Sequence, residues 1–235
     1  MTHYLKRTSY AANTVVLVLP WLFIYNLGAL LSDFSILSGA DLITNTLLNI
    51  GEERAFLAYN LALMVLGISA WWQTRKTESS VQWMDILRVS GESMVYAFLV
   101  GTAVINLLTD TPFLMISLAI DGGVELPNWA SLIVQAAGAA VHEELVFRLF
   151  MVTGIVAMLD HIWGEAGFIN AAVAVLISSV LFSLAHHIGP EPFTSYAFIY
   201  RACAGAIFSA LFLLRGFAVA VYTHALYDIY VFWSA

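Results

Sequence analysis

The chain has 235 residues, of which 61% are hydrophobic and only 11% charged, and its mean hydropathy is +0.85. A soluble domain carries about a quarter charged residues, so this composition excludes a water-covered globule and makes lipid the main solvent. The net charge of -7 comes without any Lys/Arg run, which excludes nucleic acid as a partner. The single cysteine, Cys203, excludes an internal disulfide or a cysteine metal cluster.

A spanning helix needs about 20 mainly apolar residues. The first such run, 14–31, follows Lys6 and Arg7 as a signal peptide would, but further apolar runs follow it and no small-residue cleavage site does. It is therefore read as a retained helix. Runs at 55–72 and 93–108 come next, then an apolar piece, 112–120, too short to span and read as re-entrant or interfacial. The fourth run, 129–149, continues through Met158, either as one long tilted helix or as two joined by a bend near Gly154. Runs at 168–186, 196–214 and 216–233 complete the series. The expected fold class is all-α: a polytopic transmembrane bundle of about seven spans, with eight as the alternative. It forms a single membrane domain over residues 1–235, with no internal repeat and with its motifs in a core at about 129–233.

With the N-terminus inside, this count puts Lys6, Arg7, Arg75, Lys76, Arg88 and Arg215 on the cytoplasmic side, leaving Arg54 and Arg201 outside among mostly acidic loops. The expected location is the inner membrane of a prokaryote, as a multi-pass protein. Trp71, Trp72, Trp129 and Trp233 suit interfacial belts. Arg201, beside Tyr200, is read as snorkelling to the interface.

Ionisable groups inside hydrocarbon cost about 2.5–3.5 kcal/mol each at mid-span, so a chain that keeps several uses them. Three clusters occur. In the fourth run, Glu144 and Arg148 are i and i+4 and share a helical face. Glu143 points about 100° away and needs a partner from another helix. The pair is read as fixing local geometry, and Glu143 as a general base. At the end of the fifth run, Phe182 and His186 share a face, while His187 turns away toward the helix stop at Gly189 and Pro190. In the last run, His224 and Asp228 are i and i+4, so Asp228 either orients His224 or contacts substrate separately. Singly, a membrane histidine is more often a packing residue and a Glu–Arg pair may as well be structural as catalytic. One shared site, by contrast, would satisfy all three clusters together. His142 is read as packing or interfacial, and His3 and His161 as tail and loop. At about 1.5 Å per residue, Glu143 falls near mid-membrane and His186 toward the outer side, a gap that a bent fourth helix or a shifted fifth span would close.

These clusters resemble the motifs of the CPBP family, the CAAX proteases and bacteriocin-processing enzymes, which includes the Ras-converting prenyl-protein endopeptidase. That family's pattern is EExxxR, FxxxH and HxxxN or HxxxD on successive helices. Glu143, Glu144 and Arg148 match the first, Phe182 and His186 the second, and His224 and Asp228 the third. The resemblance covers about 129–233. It implies a glutamate-dependent intramembrane endopeptidase with no required cofactor, in which Glu143 and His186 activate water while His224 and Asp228 lie near the oxyanion. Asp228 stands where the Ras-converting enzyme has Asn. An ionised Asp only accepts hydrogen bonds, which leaves His224 as the donor. The partners implied are the lipid bilayer and a membrane-associated protein or peptide substrate. The resemblance fixes no oligomeric state.

The rival readings are a zinc-dependent form of the same protease and a proton-coupled transporter. Histidines with Glu143 or Asp228 suit zinc, but Val146 stands where a second histidine of HExxH would be. Transporters commonly carry matched repeats, and none occurs here.

Overall fold

The computed structural model describes residues 4–5, 8, 10–32, 42–75, 80–109, 129–164, 167–188 and 193–234. The segment at 112–120 and His3 lie outside them. Among the described residues all regular structure is helical: α1 (Ala11–Leu31), α2 (Leu42–Thr74), α3 (Trp83–Thr109), α4 (Trp129–Trp163), α5 (Phe168–Ala185), α6 (Ser195–Arg215) and α7 (Phe217–Ser234).

Five of these, α1, α2, α4, α5 and α6, are long and apolar enough to cross a membrane. Among the described residues, helices α3 and α7, counted as spans from the sequence, are not in that set. For α7 the reason is its surroundings. It packs against α1, α3, α4 and α6, and it buries Tyr222, Thr223, His224 and Tyr227 against them. A helix enclosed by other helices needs no apolar coat, so its hydropathy drops as its polar content rises. Helix α2 is the opposite case. It packs chiefly on α1 and exposes Leu57, Leu61, Val65, Leu66, Ile68, Trp71 and Trp72. Its 33 residues would measure about 50 Å, more than a ~30 Å hydrocarbon layer, so it begins well before the apolar run.

Helix α4 is continuous from Trp129 to Trp163, but its register changes midway. Trp129–Glu144 is α-helical, Leu145–Val152 is π-helical and Thr153–Trp163 is α-helical again. The Thr153 N–H donates to the Arg148 carbonyl, five residues back, the pattern that defines a π-turn. Ser178 on α5 donates to the Phe147 carbonyl at 2.7 Å, supplying a donor where the ladder is widened. The sequence-based bend near Gly154 is thus absent. Val152 and Thr153 keep right-handed helical torsions, and the irregularity begins one residue after the paired glutamates. His161, expected in a loop, is an exposed residue in the last turns of α4.

Helices α5 and α6 pack along each other, and α4 lies between α1 and α7. Gly138 lets α1 come close, since a Cβ there would overlap the Tyr25 ring. A single residue, Gly216, joins α6 to α7 at φ +90°, a torsion that residues with a Cβ rarely adopt. Beside that corner, Arg215 donates to both Glu92 oxygens at 2.5 and 2.8 Å, and Tyr4 donates to the same carboxylate at 2.7 Å. Burial and the Glu92 charge hold the Tyr4 phenol well above its ordinary range. Arg88 lies 6.0 Å from the Tyr4 ring centre. Arg88 and Arg215, assigned to one side of the membrane from the sequence, therefore meet at one end of the bundle.

Candidate active site

Helices α4, α5 and α7 bring the three clusters into one place. Glu143 is the meeting point: its Oε1 lies 3.5 Å from His186 Nε2 and its Oε2 lies 3.6 Å from His224 Nε2. Both gaps exceed an ordinary hydrogen bond, and both are short enough for one water to touch carboxylate and imidazole together. Simple helix geometry closes the depth gap raised by the sequence. Glu143 lies about 30 Å before the α4–α5 turn and His186 about 27 Å after it, so in an antiparallel pair they stand level without any bend.

Each histidine is held by one nitrogen and presents the other. His186 Nδ1 donates to the Phe182 carbonyl at 2.9 Å, which is the physical content of the Phe182–His186 spacing, and Nε2 turns to Glu143. The Phe182 ring lies edge-on to the imidazole, with centres 4.8 Å apart. His224 Nδ1 lies 2.7 Å from Glu144 Oε1, which leaves Nε2 facing Glu143 and, at 3.5 Å, Asp228 Oδ2. Of the two expectations for Asp228, orienting His224 is not the one the geometry favours. Glu144, on another helix, takes the orienting nitrogen, and Asp228 lies on the presented side.

Glu144 and Arg148 do pair, at 3.1 Å with both side chains fully buried. Arg148 also donates to the Gly205 carbonyl at 3.2 Å and packs its guanidinium 4.4 Å from the centre of the Phe182 ring. The result is a buried chain, Arg148 to Glu144 to His224, that sets one histidine ring. A charge at zero exposure is costly unless it is paired, and here Glu144 Oε1 faces both Arg148 and His224, while Glu144 Oε2 and Arg148 Nε and Nη1 have no hydrogen-bond partner among the described residues. The two adjacent glutamates reach His224 at different nitrogens and differ in their other partner, His186 for Glu143 and Arg148 for Glu144.

Other polar residues fall outside this cluster. His142 is fully buried, not interfacial. Its ring packs on Tyr25 and Tyr59, and Nδ1 lies 2.8 Å from the Gly138 carbonyl. His187 packs on Phe193, with centres 4.9 Å apart, away from Glu143. Arg201, read from the sequence as snorkelling, is half-buried. Trp71, Trp72 and Trp129 are exposed, and Arg75 stacks 3.2 Å over the Trp72 ring. Sequence reasoning missed the contribution of α6, above all Phe208, whose ring stacks on His224 at 4.6 Å. A countable signal existed: Phe208 and His224 are equally far, about 12 Å of helix, from the Gly216 corner. Among the described residues, no three His, Cys, Asp or Glu side chains are grouped to hold a metal ion.

Residues 125–230, which contain every residue of the cluster, match the family model described as type II CAAX prenyl endopeptidase Rce1-like. No curated protein and no solved structure matches the chain.

Proposed function

We propose, from the match of residues 125–230 to the Rce1-like type II CAAX prenyl endopeptidase family model, that the chain is an intramembrane endopeptidase that activates water with Glu143 and His186. The observation that carries this reading is the placement of Glu143 between two imidazole Nε2 atoms, at 3.5 and 3.6 Å. In the proposed reaction, a water held by Glu143 and His186 gives its proton to the Glu143 carboxylate while its oxygen bonds to the scissile carbonyl carbon. The oxygen of that carbonyl becomes an oxyanion, and His224 donates to it from Nε2. Collapse of the adduct breaks the C–N bond, and Glu143 returns its proton to the leaving amine. The products are a carboxylic acid and an amine.

Glu144 and Arg148 act behind this step by holding His224. Asp228 supports the protonated His224 electrostatically from the presented side. No metal ion is required in this scheme, so cleavage should survive exhaustive chelation with no metal in the purified protein. Loss on chelation with recovery on adding zinc would overturn that part alone.

All seven helices cross the bilayer as one membrane domain in this reading, including α3 and α7, whose polar faces are covered by neighbours. The membrane is the inner membrane of a prokaryote, and the substrate is a membrane-associated protein or peptide precursor. Comparative proteomics of a wild-type strain and a Glu143→Gln strain tests the function directly. One uncleaved precursor should accumulate in the mutant. Identical profiles, with both proteins present in the membrane at equal level, would overturn the reading.

A further inference from the structure

We propose that Phe208, a residue outside every motif of the site, is a positioning residue that fixes the plane of the His224 ring and stabilises its protonated form. The inference rests on the glutamate/histidine reading above and deepens it. Phe208 lies on α6 with 1% of its surface exposed. Its ring is nearly parallel to the imidazole, at 16° with centres 4.6 Å apart. Tyr227 braces Phe208 edge-on at 5.5 Å, and Phe182 approaches His224 edge-on at 6.2 Å.

A single hydrogen bond from Nδ1 to Glu144 leaves the imidazole free to rock about that contact. A flat face against one side of the ring removes this freedom and keeps Nε2 aimed at the space beside Glu143. The electrostatics point the same way. The face of an aromatic ring is negative, so it attracts an imidazolium more strongly than a neutral imidazole. The charged groups around His224 are Glu143 and Glu144 on α4, Asp228 on its own helix, and His186 on α5 across Glu143. Arg148 also approaches the Phe208 ring, at 5.6 Å, and Tyr200 on α6 is hydrogen-bonded to Tyr227. The carboxylates approach His224 at its two nitrogens, while Phe208 stacks on the face of its ring.

The test uses the full-length chain in lipid nanodiscs, with pentafluorophenylalanine placed at position 208 by nonsense suppression. Fluorination reverses the charge pattern of the ring at nearly constant shape, so folding is preserved where Phe208→Leu would leave a cavity. The proton on His224 is followed by NMR of 13C-labelled histidine, assigned with His224→Gln. The midpoint of its titration should fall by about one pH unit, a ten-fold change in protonation. With the precursor that accumulates in the Glu143→Gln strain, kcat should fall about ten-fold, with KM unchanged and the alkaline limb of the pH profile moved down. An unchanged midpoint would overturn the role of Phe208 even if the wild type cleaves normally. A shifted midpoint in a wild type that cleaves nothing would uphold Phe208 and remove the peptidase reading instead.

Discussion

Helices α2 and α7 are opposite solutions to life in a bilayer. Helix α2 lies at the edge, rests on α1 and turns most of its apolar residues outward. Helix α7 is little more than half as long and has four helices around it, with His224 and Tyr227 buried. Hydropathy recognises the first and undervalues the second, because it measures what a helix offers to lipid. A functional helix offers its chemistry to other helices, and its neighbours carry the cost of hiding it.

If that contrast is right, the largest effects lie around α7 and its partners. Glu143→Gln and His186→Ala should each lower cleavage about 10³-fold or more while leaving the thermal midpoint in detergent unchanged. Full activity in either variant would break the assignment.

Next come substitutions in the buried chain. Arg148→Leu should cost about 3–5 kcal/mol of stability, since it strips a fully buried carboxylate of its cation. The double variant Glu144→Leu/Arg148→Leu should regain most of that stability, because an apolar pair of similar volume has no charge to satisfy. It should remain inactive, with His224 no longer held at Nδ1. A double variant as unstable as the single one would show that the chain contributes stability rather than aim.

A smaller change follows Asp228→Asn. An amide at that position can donate to an oxyanion where the carboxylate cannot, and His224 keeps its Glu144 contact. Activity should stay within about ten-fold of wild type, with the alkaline limb of its pH profile moved down because an anion that favours protonated His224 is gone. Movement of the limb upward would contradict the electrostatic role of Asp228.

The smallest effects belong to α2. Leu61→Ala and Leu66→Ala exchange one lipid-facing apolar residue for another, so unfolding in detergent should move by no more than about 0.5 kcal/mol, with cleavage unaffected. A loss of several kcal/mol would mean that this face covers another protein surface, and α2 would cease to be a peripheral helix.

The sequence by itself determined that the chain is built for lipid, roughly where its helices lie and which polar side chains need company among them. Composition excludes a water-facing surface, and the cost of burying Glu143, Glu144, Arg148, His186, His224 and Asp228 marks them as a set. Local spacing also determined the pairs within one helix: Glu144 with Arg148, and Phe182 with His186. Tertiary structure decided the rest, because those contacts depend on how separate helices are set against one another. It gave Glu144, not Asp228, the Nδ1 atom of His224. It chose one continuous helix over two joined near Gly154, with a π-helical stretch at Leu145–Val152, and it laid Phe208 against the imidazole. Helical periodicity fixes which residues share a face on one rod, but the height and rotation of one rod against another are set by packing that no single segment encodes.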